Sequence, residues 1–135
     1  MAQFQFELVS PEKLMISEKV AMVTVPGGEG EYGVLAGHAP MITTLKPGVI
    51  SIYGDNESAI TGRIFVAGGF AETTAERCTV LDEEAIPVSD LDREDIQIHI
   101  KMLHDSAGSI KTDAEREAAE AELAVAEAKL QALAA

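Results

Sequence analysis

Apolar and polar residues alternate along the first part of the chain, which is the period of a β-strand. Within residues 3–10, Phe4, Phe6 and Leu8 fall on one face. Further strands are predicted over residues 20–25, 48–53, 60–66 and 77–81, with turn residues at 26–28, 47–48, 54–56 and 68–69. Short strands without helical crossovers predict an antiparallel sandwich or a flattened barrel.

The pattern changes close to Pro87. Ten of the 11 glycines and four of the five prolines lie before it, whereas residues 88–135 contain one glycine and no proline. The last 23 residues consist mainly of Ala, Glu and Leu, which favour helices. The sequence therefore predicts a β-region over residues 1–86 and a helical region over residues 87–135, α+β overall.

A first helix is predicted from apolar residues at helical spacing, Ile96, Ile100 and Leu103. Ser89 or Asp90 is placed to cap its start. The isoleucines of this segment also alternate as in a strand, but the cap and the surrounding charges favour a helix.

A second helix is predicted after a turn at residues 106–109. Thr112 and Glu115 have the spacing of a capping box at its start, and the helix runs to about Leu133. Small and apolar residues form one stripe along it, at Ala119, Leu123, Ala126, Leu130 and Leu133. Because the turn is short, an antiparallel hairpin is predicted. The stripe either packs against the first helix or opens and docks on another protein.

Composition narrows the classes of function. A formal charge of −13 over 135 residues, shared almost evenly by the two regions, argues against binding to nucleic acid or anionic lipid. A single cysteine, Cys78, excludes an intrachain disulfide and is expected to be buried among apolar neighbours. The longest uncharged run, residues 32–45, is too short and too interrupted to span a bilayer. Because a disulfide scaffold is excluded, we expect a reducing compartment, and the sequence shows no signal peptide.

No set of residues predicts catalysis. The glycine-rich run at residues 27–33 lacks the Lys-Ser/Thr ending of a phosphate-binding loop and carries two carboxylates, so it is interpreted as a hairpin loop. His99 and His104 lie on different faces of their helix and His38 lies in the other region, which argues against a metal site. We expect no catalytic site, no metal and no cofactor.

The run of residues 27–40 resembles the signature of one family, the epsilon subunit of bacterial F-type ATP synthase (delta in mitochondria). The motif is Gly-Glu-x-Gly-x-x-x-Gly-His-Ala-Pro, met at Gly30, Glu31, Gly33, Gly37, His38, Ala39 and Pro40. Residues 46–48, 68–69 and 91–92 also fall where the family has them. The resemblance therefore covers the whole chain.

The resemblance implies a ten-stranded sandwich followed by a helical hairpin, in a subunit without a catalytic site of its own. It implies a place in the rotor, peripheral on the cytoplasmic face of the bacterial inner membrane and without insertion into it. There, rotation of the membrane ring passes to the gamma subunit and the catalytic hexamer. Ring contacts are implied for Glu29, Gly30, Glu31 and Tyr32, and gamma contacts for Ser10, His38 and Thr43.

Two activities of the family belong to the hairpin, and there the sequence departs from it. Some members bind ATP through Leu-Asp-x-x-Arg-Ala, whereas this chain has Leu91 and Asp92 followed by Asp95 in the arginine position, which would repel phosphate. In the family, basic residues of the hairpin also reach the alpha/beta catalytic subunits and inhibit hydrolysis. Residues 113–135 carry two basic and six acidic side chains, so we expect a weak inhibitor that binds ATP poorly. The alternative is a free-standing module that binds another protein.

Overall fold

The computed structural model describes residues 2–82 and 84–134 of the chain. Within them, ten strands come first: β1 (Phe4–Val9), β2 (Leu14–Val20), β3 (Met22–Gly27), β4 (Gly30–Leu35), β5 (Met41–Leu45), β6 (Gly48–Tyr53), β7 (Gly62–Val66), β8 (Gly69–Thr73), β9 (Arg77–Leu81) and β10 (Ala85–Pro87). Two helices follow, α1 (Arg93–Asp105) and α2 (Asp113–Ala134), each preceded by a 3-10 turn, at Val88–Asp90 and Ser106–Ser109. The predicted sandwich of about ten strands followed by two helices is confirmed.

Nine of the ten strands follow one hydrogen-bonded path that folds into two layers, and β4 pairs with β3 beside that path. The first sheet has the order β10-β7-β6-β3-β4 and the second β5-β8-β9-β1-β2. They are joined where Gly27 of β3 pairs with Leu45 of β5. The prediction of purely antiparallel strands is wrong at one place, since β1 and β9 pair in parallel, with Phe6 opposite Cys78. Two parallel neighbours need a long connection in the chain, and here it consists of strands β2 to β8. Local turn signals therefore do not reveal this pairing.

The hydrophobic core lies between the sheets. The alternating residues of β1, Phe4, Phe6 and Leu8, are at most 2% exposed, as predicted. Inward residues of the other strands complete the cluster, among them Val20, Val23, Val25, Val34, Ile50, Ile52, Val66, Ala71, Cys78 and Val80. Burial of an aliphatic or aromatic side chain of this size contributes about 1.5–3 kcal/mol, so this cluster is the main source of the stability of the sandwich.

The predicted strands agree with β1, β3, β6, β7 and β9 to within two residues, but the pattern misses the other five. β2 shows why, since Val20 is the one fully buried residue of its seven. A strand that is mostly exposed does not alternate clearly between apolar and polar residues. β4 begins inside the glycine-rich run, which forms a hairpin whose turn consists of only Gly28 and Glu29.

The first helix starts later than predicted. Asp92 is the N-cap of α1, and its Oδ1 accepts a hydrogen bond from the N–H of Asp95 at 3.1 Å. The predicted caps, Ser89 and Asp90, are therefore wrong. They belong to the separate 3-10 turn, and the backbone at Leu91 is extended, which interrupts the helical path.

The second helix is capped as predicted. Thr112 Oγ1 accepts from the N–H of Glu115 at 3.1 Å, and Glu115 Oε2 accepts from the N–H of Lys111 at 3.1 Å. Two otherwise unsatisfied donors at the start of α2 are thus paired.

The helices form an antiparallel hairpin. His99 Nε2 of α1 lies 3.1 Å from Glu122 Oε1 of α2, and nearer the turn Leu103 faces Ala119 and Leu123 across a small cavity. The first half of the predicted stripe therefore packs against α1.

The end of α2 lies on the outer face of the first sheet. Lys129 Nζ is 2.7 Å from Glu84 Oε1 and 5.8 Å from the centre of the Phe65 ring. Arg63 Nη2 donates to the carbonyl of Ala132 at 3.3 Å. Phe65, which is outside the cluster between the sheets, is fully buried. These docking contacts hold the hairpin against the sandwich.

Candidate partner-binding surface

One cleft brings together most of the residues that the sequence singles out. It opens between the β3–β4 hairpin and β5 and has a volume of about 720 Å³. The residues around it include all four implied ring contacts and two of the three implied gamma contacts, namely Glu29, Gly30, Glu31, Tyr32, His38 and Thr43. The structure thus places two predicted sets of residues beside each other on one surface.

Glycine makes the tight turn of this hairpin possible. Gly27 and Gly30 are opposite each other in the ladder, and a Cβ on Gly27 would lie 2.7 Å from the carbonyl oxygen of Gly30. Gly30 has φ of +144°, a conformation that other residues rarely adopt. The two strands can therefore close over two residues, with Glu29 in the turn.

Two carboxylates give the hairpin its negative charge. Glu29 and Glu31 are exposed, and neither forms an ion pair with another described residue. Glu31 is paired with Pro26 and also borders the crevice beneath the end of α2. Neither charge is therefore neutralised by an ion pair within the described part of the chain.

Tyr32 lies on the interior side of the hairpin. It is paired with Val25, which is fully buried, and directly paired residues share one face of a sheet. The Tyr32 ring centre is 6.4 Å from that of His38. The Tyr32 hydroxyl oxygen is buried and has no hydrogen-bond partner within the described ranges. Buried tyrosine hydroxyls usually have a partner, so this group is an exception.

His38 and Thr43 add polar groups to the same cleft. His38 Nδ1 lies 2.7 Å from the carbonyl oxygen of Ala39. Since a carbonyl oxygen only accepts, Nδ1 is the donor in this contact. Thr43 is opposite Ala71 in the β5–β8 ladder and is half-buried. The cleft can therefore receive a polar segment of another chain.

Ser10, the third implied gamma contact, lies outside this cleft. It forms a tight turn with Lys13, whose N–H donates to Ser10 Oγ at 3.2 Å. Its neighbours Val9 and Pro11 line a second cavity, about 570 Å³ in volume. Thr44 borders both cavities, so they adjoin at β5.

Sequence reasoning misses an exposed apolar surface on the second sheet. Val9, Leu14, Phe70 and Leu81 are successive partners across β8, β9, β1 and β2 and form one row, here called the apolar row. Leu14, Phe70 and Leu81 are 55%, 55% and 49% exposed. The sequence contains a signal for this surface. Phe70 and Leu81 each stand next to a buried apolar residue in their strand, so strict alternation would place a polar side chain at both positions. Contiguous exposed apolar surface is typical of an interaction site.

The positions at which the chain departs from the family's ATP-binding pattern lie at the start of α1. Asp92 caps the helix and Leu91 is half-buried. Asp95 is exposed in the first turn, together with Glu94. These carboxylates oppose the attraction that a helix N-terminus has for phosphate.

The other candidate groups have structural roles or form no site. Cys78 is fully buried, as predicted, and burial raises the pKa of its thiol from the ordinary 9.0. Across residues 2–82 and 84–134, no group of three or more His, Cys, Asp or Glu side chains could hold a metal ion. In the same ranges, none of the helices has the length and apolar character needed to cross a membrane.

Known proteins with similar sequences share this architecture. Residues 3–88 match the family described as ATP synthase, Delta/Epsilon chain, beta-sandwich domain. The chain is 51% identical to the ATP synthase epsilon chain of Rhodospirillum centenum, over 98% of this chain and 92% of that one. It is 49% identical to the ATP synthase epsilon chain of Paramagnetospirillum magneticum, over 98% of each.

Two solved structures are also similar. A chain in the cryo-EM structure of the Euglena gracilis mitochondrial ATP synthase, OSCP/F1/c-ring in rotational state 1, has a TM-score of 0.84 and 27% identity over 98% of this chain and 82% of that one. A chain of the Tetrahymena thermophila mitochondrial ATP synthase, central stalk/c-ring, has a TM-score of 0.67 at 16% identity, over 98% and 97%, which supports the fold alone. Because residues 3–88 match the family and the relatives align over nearly their full length, the chain belongs to the delta/epsilon family of ATP synthase chains, which are non-catalytic subunits of that enzyme.

Proposed function

We propose that this chain is a rotor-stalk subunit of a proton-driven ATP synthase and couples rotation of the membrane ring to the gamma shaft and the catalytic hexamer. Family membership supports this, and the similar chain at 27% identity belongs to a mitochondrial ATP synthase assembly that includes a c-ring. One observation carries the proposal: a single packed sandwich offers two chemically different surfaces, the acidic hairpin and the apolar row.

The acidic hairpin is suited to the ring. Its glycines allow the backbone to approach polar loops closely. Glu29 and Glu31 offer charges that no described residue neutralises. Complementary charge steers association and fixes register more than it adds affinity, which suits a contact that must stay in place during rotation.

The apolar row is suited to the gamma shaft. Phe70 and Leu81 each expose about half of their surface, and covering apolar surface contributes roughly 25 cal/mol per Å². Ser10 follows Val9 of the row, and Thr43 precedes Thr44 on the adjoining strand, so two of the three implied gamma positions flank this surface. Interlocked apolar side chains resist sliding, which would let the sandwich transmit torque.

Crosslinking in the assembled enzyme tests the two contacts. We expect Glu31→Cys to crosslink to the ring and Ser10→Cys to the gamma subunit. Glu57→Cys, at an exposed position in the turn before β7, is the control and should crosslink to neither. His38→Cys shows which partner reaches the shared cleft. If position 31 yields only gamma products and position 10 only ring products, the assignment of the surfaces is wrong.

We also propose that the helical region, residues 87–135, is a weak inhibitor of ATP hydrolysis. Both basic side chains of α2 are engaged within the chain, Arg116 Nη1 at 3.0 Å from Asp113 Oδ1 and Lys129 with Glu84. Docking on an acidic catalytic surface would bring like charges together, which is unfavourable. ATPase assays of the complex with the full chain and with a chain ending at Pro87 should give similar rates.

A charge-reversed hairpin provides the matched control for that assay. Glu117→Lys with Glu120→Lys changes two exposed side chains of α2 and should strengthen inhibition. A many-fold rise in ATPase rate on truncation of the unmodified chain would show that it is a strong inhibitor.

ATP binding by the hairpin is proposed to be weak or absent, because Asp95 and Glu94 place negative charge where phosphate would lie. Calorimetry with millimolar ATP should give no saturable heat for the full chain. Asp95→Arg restores the family's arginine and should increase affinity. Saturable binding by the unmodified chain would contradict the proposal.

In this role the chain is peripheral to the cytoplasmic face of the bacterial inner membrane. Residues 1–86 would carry both partner surfaces and residues 87–135 the regulation. We expect the chain to co-purify with a membrane-associated ATPase, whereas a free-standing interaction module would purify without one.

A further inference from the structure

We infer that the negative charge of Glu31 opposes docking of the end of α2 on the sandwich, so that a positively charged partner of the β3–β4 hairpin holds α2 docked more firmly. The part of the inference that concerns a partner rests on the proposed function, whereas the effect of the charge is a property of the chain alone. The starting observation is that Glu31 borders two spaces, the cleft beside β5 and the crevice beneath the end of α2.

The crevice brings Glu31 close to the negative end of α2. It has a volume of about 220 Å³, and Ala128, Gln131 and Ala132 of α2 line it together with Glu31. The carbonyl groups in the last turn of a helix carry a partial negative charge. No basic residue lies in the last turn of α2 as described, up to Ala134. A carboxylate across a space of this size lies within the distance over which charges interact in physiological salt.

Arg63 supplies the positive charge at this helix end. Its Nη2 donates to the carbonyl oxygen of Ala132 at 3.3 Å, and it is the one basic residue among the described residues that line the crevice. Arg63 belongs to β7 and is paired with Ser51 of β6, so it remains on the sheet whether α2 is docked or detached. Its attraction for Glu31 therefore largely cancels in the docking equilibrium. What docking adds beside Glu31 is the negative helix end, which is unfavourable.

Neutralisation of Glu31 removes this unfavourable contribution. A charge near a helix end has an effect equivalent to about a two- to fivefold change in population. Because coupling is reciprocal, a partner that places a Lys or Arg side chain against Glu31 favours docked α2, and the docked chain binds that partner more tightly. Assembly into the rotor would then keep the helical region on the sandwich and away from the catalytic subunits, in agreement with the proposed weak inhibition.

A thiol at position 132 measures docking. Ala132 is 5% exposed and lines the crevice, so Ala132→Cys should react with a maleimide when the end of α2 leaves the sheet. Adding Glu31→Gln to this full-length parent should lower the labelling rate about two- to fivefold. Glu29→Gln is the matched control, because Glu29 lines the cleft but not the crevice, and it should leave the rate unchanged. Arg63→Met should raise the rate, because α2 loses a hydrogen bond. Mass spectrometry distinguishes labelling at position 132 from labelling of the buried Cys78.

Three results in the free chain would overturn the inference. The first is an unchanged or faster rate with Glu31→Gln. The second is an equal fall with Glu29→Gln, which would indicate a general effect of net charge. The third is an unchanged rate with Arg63→Met, which would show that the crevice does not hold α2.

The purified, detergent-solubilised ring tests the effect of a partner. Addition of the ring to the Ala132→Cys parent should lower the labelling rate, and a separate titration shows whether the ring binds. A ring that does not bind contradicts the proposed function, while the result with Glu31→Gln in the free chain still decides the effect of the charge. A ring that binds without slowing the labelling contradicts the coupling of partner binding to docking.

Discussion

Removal of the positive charge of Lys129 tests how the hairpin is held on the sandwich. Lys129 Nζ lies 2.7 Å from Glu84 Oε1, with the two side chains 22% and 44% exposed, and 5.8 Å from the centre of the Phe65 ring. A partly exposed ion pair contributes about 0.2–1 kcal/mol, and a cation–π contact about 0.5–1 kcal/mol. Lys129→Met retains an apolar stem of similar length, so it should weaken docking by about 0.7–2 kcal/mol in total.

A loss of this size raises the population of detached hairpin about 3- to 30-fold. Electron–electron distances can be measured between spin labels at Ala121 and Glu57, both of which are exposed. The docked hairpin should give one narrow distance distribution, and the detached hairpin a longer and broader one. The buried thiol of Cys78 should not compete for the label. Lys101→Met removes an exposed charge that forms no ion pair with another described residue and is the matched control. Equal populations of long distances in the two variants would refute the assignment of the docking contacts.

Three further changes have defined outcomes. Gly69→Ala should lower the free energy of unfolding by at least about 2 kcal/mol, since Gly69 has φ of +119° and a Cβ would lie 2.0 Å from the carbonyl oxygen of Leu81. Gly108→Ala is the control, because a Cβ at this position would meet no described atom within 4 Å. The free energy of unfolding measured in urea should change by less than about 0.5 kcal/mol. A similar loss in both variants would contradict the steric argument. Thr112→Ala should reduce helicity at the start of α2 and cost about 1 kcal/mol, measurable by circular dichroism. Burial raises the pKa of the Cys78 thiol in the folded chain, so folding favours the neutral thiol. The free energy of unfolding should therefore be constant with respect to this group below about pH 9 and should fall as the pH rises through the folded pKa. Urea unfolding of Cys78→Ala should lack that alkaline component, and equal pH slopes would show that the thiol does not contribute.

Short-range patterns of the sequence predicted the elements whose signals are local. Phe4, Phe6 and Leu8 mark β1 because a strand with one buried face alternates with period two. Thr112 marks the start of α2 because a cap bonds a donor three residues away. The signature in residues 27–40 indicates the family, which the matched sandwich and the relatives confirm. Asp92 was missed as a cap because the 3-10 turn before it also presents polar residues with capping potential.

By itself, then, the sequence determined that a β-region precedes a helical region, the inward face of β1 and the family. Tertiary structure alone decided the parallel pairing of β1 with β9, the alignment of Leu14 with Phe70 across four strands and the meeting of Lys129 with Glu84. It also left the Tyr32 hydroxyl without a hydrogen-bond partner among the residues that the structure describes. Each of these depends on which distant segments become neighbours when the two layers close. That arrangement is set by the packing of the whole core, which no window of a few residues contains.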